Sequence, residues 1–278
     1  MKKVTDFIIY GNFFIAACAA CLVWESYLLL KVPVQHFYII TGFIATLFTY
    51  NIDRLVVLDS LIGTGNERHG WLVRHQRLMV VISIACFVSL CILVMYMRIP
   101  SILFLAHLGI ISMGYSVPAF FMGSKGFRNI KLLKIFLIMY VWAATTVLWP
   151  ALSAGISLFQ HDVIMLFIER ALFIFAITLP FDIRDYLTDK QNHVLTIPGA
   201  IGIAQTRLLG FICLLVFFLI NAAHYNTHNL VLWAKLVSGL CALFALYYNR
   251  PSRHEYYFTG LIDGLMILQF VLVVVAVW

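Results

Sequence analysis

Leu179-Pro180-Phe181-Asp182-Ile183-Arg184-Asp185-Tyr186-Leu187-Thr188-Asp189-Lys190 closes an apolar run that begins near Val163. At about 100° per residue, the positions three and seven beyond Asp182 fall within roughly 60° of it on a helix. Asp182, Asp185 and Asp189 therefore share one stripe at the end of a segment long enough to cross a bilayer. Such a cluster repels itself unless a cation sits on it. Hard carboxylate oxygens suit Mg²⁺, which commonly bridges carboxylates to phosphate oxygens. The stretch reads as a Mg²⁺–diphosphate site at a membrane surface. The plainer alternative is an acidic helix end bathed in solvent.

The flanking chain is as apolar as this run. Of 278 residues, 63% are hydrophobic and 11% charged, and the mean hydropathy is +0.97. A soluble domain carries about 25% charged residues. The composition predicts an all-α, polytopic membrane protein, because a bilayer forces backbone hydrogen bonds to close within helices. Nine segments approach the ~20 residues that a span needs: 7–30, 36–58, 78–97, 100–117, 132–150, 163–182, 205–223, 229–248 and 257–277. Arg98-Ile99-Pro100 alone separates the third from the fourth, a tight turn where proline stops helix propagation. The six cysteines all lie in apolar segments and read as small packing residues. Cys18-Ala-Ala-Cys21 has redox-motif spacing but sits inside a span.

Loop charges give the orientation. Lys2 and Lys3 precede the first segment, and the 2–3 loop holds Arg68, Arg74 and Arg77. The 4–5 loop holds Lys125, Arg128 and Lys131, the 6–7 connection Arg184, Lys190 and Arg207, and the 8–9 loop Arg250 and Arg253. The alternate loops are nearly free of Lys and Arg. The positive-inside rule then places the N-terminus in the cytoplasm and the C-terminus outside. With the cations in short loops between spans, nucleic acid is not an expected partner. The loops 59–77 and 183–204 both face the cytoplasm, each after an acidic helix end, Asp53 with Asp59 and Asp182 to Asp189. Four spans from one such end to the next predict two parallel pseudo-repeat halves, 1–117 and 132–248, plus a final helix 257–277, in one domain over 1–278. Both acidic helices present their C-termini, the negative dipole ends, to the site, which favours bound cations.

The continuation Leu195-Thr196-Ile197-Pro198 with Ile201-Gly202, and Tyr115 followed by Lys125, Arg128 and Lys131, complete the pattern. Together with the nine segments and D-x-x-D-x-x-x-D over 182–189, they resemble the UbiA superfamily of intramembrane prenyltransferases. Its members form one nine-helix all-α bundle with Asp-rich motifs on helices 2 and 6. The first motif departs from the family's N-D-x-x-D-R-x-x-D. Asp53-Arg54 are present, but Thr49, Tyr50 and Val57 stand at the other positions. Asn51 and Asp59 lie about 160° and 240° from Asp53 around a straight helix, so Asp59 contributes only where the helix unwinds. Thr46, Thr49, Tyr50 and Ser60 share the Asp53 face.

The resemblance implies a prenyl diphosphate donor, a hydrophobic acceptor of aromatic or lipid-like kind, and Mg²⁺ held by the catalytic residues Asp53, Asp182, Asp185 and Asp189. It implies Arg54, Arg68, Arg74, Tyr115, Lys125, Arg128, Lys131 and Lys190 as the diphosphate's partners, with aromatic faces to stabilise an allylic cation. Two other classes compete. A non-catalytic lipid-binding protein would explain the reduced first motif. A transporter would use the intramembrane acids, but it is expected to carry broken helices near midplane, and neither motif lies there. Glu169 with Lys235 reads as an intramembrane clamp or a transport pair. Glu25 is expected at the outer interface near Lys31 or Arg98. Asp263 is expected to pair with Arg207 or to touch the acceptor. Gly63-Thr64-Gly65 fits a lid, and His224 with His228 has metal-ligand spacing in a short loop.

Overall fold

The computed structural model describes residues 2–56, 58, 67–116, 132–191 and 194–278. They form helices and connecting turns, with no strand among the described residues. In chain order the helices are α1 (Lys2–Tyr10), α2 (Phe13–Leu29), α3 (His36–Val56), α4 (Glu67–Arg74), α5 (Gln76–Val94) and α6 (Ile99–Ser116). Then come α7 (Leu133–Ser153), α8 (His161–Gln191), α9 (Ile197–Ile201), α10 (Ile203–His224), α11 (Leu230–Tyr247) and α12 (Tyr257–Val277).

In each of the nine apolar segments the described residues are mainly helical. Seven of the described helices, α3, α5, α7, α8, α10, α11 and α12, are long and apolar enough to cross a membrane, and the pair α1–α2 makes an eighth. The apolar part of α6, Ile99–Gly114, is shorter. The first segment is not one straight span, because α1 and α2 meet at a 60° bend. Asn12 takes a left-handed φ of 64° there, a conformation that Asn tolerates better than most residues. Gly11 is required beside it, since a Cβ would come within 2.4 Å of the Phe7 carbonyl oxygen. Pro100 lies in the first turn of α6, where its missing N–H costs no helical bond. The turn therefore falls just before the proline.

Burial separates the central helix from the peripheral ones. In α8, 67% of the apolar window is buried, against 17% in α5, whose Val81, Ile84 and Phe87 point outward as a lipid-facing side chain does. α8 packs on α7 and α10, α2 on α3 and α12, and α11 on α10 and α12. α8 also runs to Gln191 without a break, so the expected loop at 183 starts about two turns later. Asp182, Asp185 and Asp189 consequently do ride on one helix.

Prolines inside spans need compensation. In α7, Pro150 cannot donate to the carbonyl four residues back, that of Thr146. A π-helical turn over Ala144–Leu148 adjusts the backbone, and Ser26 Oγ of α2 donates to the Thr146 carbonyl instead.

Glu25, expected at the outer interface, is fully buried. Its Oε1 accepts from Lys235 Nζ at 2.6 Å and from Arg170 Nη2 at 3.0 Å. Lys235 Nζ also donates to Glu169 Oε1 at 2.7 Å. The clamp read from Glu169 and Lys235 is thus a four-residue network tying α2, α8 and α11. Two acids and two bases balance one another where no solvent can. Arg170 and Lys235, and not the outer-interface partners Lys31 and Arg98, neutralise Glu25, through Oε1.

Candidate functional site

The third helix ends with its polar residues on one side. Thr49, Tyr50, Asp53 and Arg54 of α3 all line a cavity of about 250 Å³, and Asp182, Arg184 and Asp185 of α8 line it from across the bundle. Arg68 of α4, Lys134 of α7 and Asp263 of α12 complete its charged wall. The helical register argued from sequence holds here. Thr49 and Tyr50 share the Asp53 face, while Asn51 is buried on another and accepts from Asn12 Nδ2 at 2.8 Å. Asn51 fixes the α1–α2 bend against α3 and takes no part in the cavity wall. Most of the remaining lining is apolar, with Ile111, Leu137, Ile138, Val141, Ile174 and Ile177 among it, and Asn12, Ser112, Thr178 and Thr259 add polar groups.

The carboxylates differ in their partners. Lys134 Nζ lies 3.1 Å from Asp182 Oδ1, but off the line of a hydrogen bond, so that buried oxygen has no hydrogen-bond donor among the described residues. Asp53 Oδ1 is likewise buried without a donor among them. Asp185 is held in two-point fashion by Arg184, Nε to Oδ1 at 2.7 Å and Nη2 to Oδ2 at 3.0 Å. Arg184 also donates to Glu255 at 3.2 Å and sits over the Phe181 and Phe258 rings, 5.2 and 4.9 Å from their centroids. Arg68 donates to the same Glu255 at 2.9 Å and to Asn12 Oδ1 at 3.3 Å. Glu255 thereby braces two cations against the cavity.

Burial pulls the Arg68 guanidinium down, with Arg54 and Arg184 adding to the fall, to about 10. It stays cationic at neutral pH. Burial pushes Glu255 up, but Arg184 and Arg68 outweigh it and hold the carboxyl below its usual range. Arg54 Nε is buried with no acceptor among the described residues. A buried donor without an acceptor, beside a cationic wall, suits an anionic ligand.

Not every residue implied by the sequence reaches the cavity. Asp189 is half-buried further along α8 and does not line it, while Arg74 and Lys190 are exposed. Asp59, Lys125, Arg128, Lys131 and the Gly63-Thr64-Gly65 stretch lie outside the described residues, as does the side chain of Tyr115. The expected Asp263–Arg207 pair does not form. Arg207 Nη2 donates to the Asn249 carbonyl at 2.6 Å, and Asp263 faces the cavity. Sequence reasoning missed Lys134, Glu255 and the double hold of Arg184. The signal for Lys134 was a lone cation in the first turn of an apolar segment.

Among the described residues no three His, Cys, Asp or Glu side chains converge as a metal site. Mg²⁺ is commonly bound by one or two carboxylates together with substrate phosphate oxygens. The donorless oxygens of Asp53 and Asp182, one from each motif helix, fit that mode.

No protein-family model matches the sequence, and no curated protein does. Solved structures do match. A UbiA homologue from Archaeoglobus fulgidus bound to GPP and Mg²⁺ is 12% identical, with a TM-score of 0.69 over 97% of this chain and 99% of that one. The apo UbiA homologue of Aeropyrum pernix K1 is 13% identical, with a TM-score of 0.70 over 94% and 97%. A digeranylgeranylglyceryl phosphate synthase is 11% identical, with a TM-score of 0.60 over 100% and 99%. This chain has the UbiA fold. At these identities the likeness speaks for the fold alone, over its full length.

Proposed function

We propose that this chain transfers a prenyl group from a prenyl diphosphate to a hydrophobic acceptor within the membrane, with Mg²⁺, at the cytoplasmic side. The observation that carries the reading is the divided cavity. Along α8 the lining passes from Ile174 and Ile177 to Asp182 and Asp185, and along α7 from Val141, Ile138 and Leu137 back to Lys134 at the helix start, so each helix contributes an apolar stretch and a charged end. A prenyl diphosphate has the same division between head and tail. The A. fulgidus UbiA homologues bound to GPP and to DMAPP with Mg²⁺ support it.

Asp53 and Asp182 would hold Mg²⁺, with Asp185 and Asp189 along the same stripe of α8. Bound there, the metal would supply charge to the diphosphate oxygens as the C–O bond breaks. Arg54 and Arg68 would take the remaining phosphate charge, helped by Arg74, Lys190 and the 4–5 loop residues Tyr115, Lys125, Arg128 and Lys131. Tyr50, Trp142 and Phe181 offer ring faces to an allylic cation, each worth about 0.5–2 kcal/mol when well placed.

A second reading, a lipid-binding protein without turnover, draws on the internal pairing of Asp182 with Lys134 and of Asp185 with Arg184. Such pairs neutralise carboxylates that a metal would otherwise take. Purified protein given labelled prenyl diphosphates of several lengths, with and without Mg²⁺, separates the two. Release of diphosphate that needs Mg²⁺ supports transfer. Binding with no release over hours favours the second reading.

A further inference from the structure

The transfer reading leaves one carboxylate of the cavity without a task. Asp263 follows directly on the π-helical turn Tyr257–Ile262 and opens the regular part of α12. A π-turn re-aims the residues around it and is frequent at functional sites. Thr259, Asp263 and Met266 all reach the cavity, at spacings that keep one helix face. Asp182 and Asp185 each stand against a cation. The Asp263 carboxylate makes no hydrogen bond or ion pair among the described residues. Only its backbone carbonyl is engaged, accepting from Cys18 Sγ at 3.3 Å. An unpaired carboxylate inside a membrane-spanning helix is costly, and such groups face interior cavities and mark functional paths.

We infer that Asp263 is the base of the reaction, its carboxylate taking the proton that the acceptor loses as it is prenylated. The inference rests on the transfer reading above. The donor's C1–O bond breaks, and its electron pair leaves with the diphosphate. The acceptor supplies an electron pair to C1, and its attacking atom releases the hydrogen it carried as a proton. The Asp263 carboxylate becomes a neutral acid and returns the proton to water when the products leave. The acceptor is then an apolar molecule whose attacking atom bears a hydrogen, as in a phenol or an alcohol. Its body has Ile15, Tyr50, Trp142 and Met266 to rest against. A base needs a lone pair left to it; Asp185 is tied to Arg184 at both oxygens, and Asp53 and Asp182 are the residues that would hold Mg²⁺.

The test uses the full chain in lipid nanodiscs with labelled geranyl diphosphate and Mg²⁺, and a phenol and a glyceryl ether alcohol as acceptor probes. Two variants, Asp263→Asn and Asp263→Leu, remove the base, the second suiting a membrane span should the first fold poorly. Donor affinity is expected to stay within about threefold of wild type while transfer falls by roughly 100-fold or more, the usual scale for a lost base. Asp263→Glu, which keeps the carboxylate, is expected to recover part of the rate. Transfer by the variants within about fivefold of wild type overturns the base and leaves the transfer reading standing. Loss of donor affinity in step with transfer also overturns it, since Asp263 would then be a counter-ion for Arg68 and Arg184. Wild-type protein that binds no geranyl diphosphate with Mg²⁺ overturns the transfer reading and the base together.

Discussion

Asp53 is the one carboxylate of the first motif that reaches the cavity among the described residues, so it carries the contribution of α3 to any metal. Replacing Asp182 or Asp53 with Asn keeps the size and removes a charge from the cation. Each change is expected to lower Mg²⁺-dependent diphosphate release by at least ~100-fold, about 2.7 kcal/mol of barrier. Asp59→Asn, in the same assay, is expected to cost far less; the reverse order would mean that the site is built on an unwound segment after Leu55. Glu255 makes a pH prediction. Its folded pKa is depressed by Arg184 and Arg68, so its stabilising contribution is present above the ordinary carboxylate value and is lost as pH falls through the depressed one. Thermal unfolding followed downward through the acid range should show that loss in wild type. Glu255→Gln should remove this part of the slope and weaken donor binding, because Arg68 and Arg184 lose their brace. The acidic stripe was legible at this scale because helical periodicity alone sets it. The partners were not, since Lys134 and Glu255 lie far from the motif in sequence and meet it only in space.

At the scale of helices, the network of Glu25, Glu169, Arg170 and Lys235 binds α2, α8 and α11 at a level about 20 Å from Asp182, thirteen residues along α8. Removing one member of a buried ion network strands its partners, at about 3–5 kcal/mol. Lys235→Met is therefore expected to lower the unfolding temperature markedly while leaving donor affinity near wild type. Adding Glu169→Gln to it should restore part of the loss, because Glu25 keeps Arg170. Donor affinity falling in parallel would instead tie the network to the cavity. Where α10 packs on α8 and α11 it presents a glycine, a small residue of the kind usual between membrane helices. A Cβ on Gly210 of α10 would lie 2.3 Å from Leu246 Cδ2 and 3.1 Å from Leu179 Cδ1. Gly210→Ala is expected to cost about 1–3 kcal/mol through overpacking, read as a drop in unfolding temperature.

For the whole molecule, orientation decides whether the acidic helix ends and the basic loops meet on one side of the membrane. A diphosphate does not cross hydrocarbon unaided at reasonable cost, so donor head, carboxylates and cations must share an aqueous face. In a background without the six native cysteines, single cysteines at Gly65, Gly126 and Asn192 should be labelled only from the cytoplasm, and one at Asn226 only from outside. Labelling of the Gly65 and Asn192 positions from opposite sides would separate the two acidic helices and sink the shared site. Chelation belongs to the same scale. Wild-type protein in EDTA should neither retain labelled geranyl diphosphate nor release its diphosphate, whereas undiminished turnover without Mg²⁺ would exclude a metal-held donor.

By itself the sequence determined what depends on local order along the chain. Apolar run length marked the membrane helices, and a bilayer leaves a long apolar segment little choice but helix. Periodicity put Asp182, Asp185 and Asp189 on one stripe and kept Asn51 off the Asp53 face. Tertiary structure decided what depends on helices meeting. It turned Glu25 inward to Arg170 and Lys235, gave Arg207 a backbone carbonyl and left Asp263 to the cavity. It also bent the first segment at Asn12, whose left-handed backbone and bonds to Asn51 and Arg68 join three separate elements. Charged groups in an apolar interior pair with whatever the fold brings within reach, and reach is set by packing between helices, which no local pattern encodes.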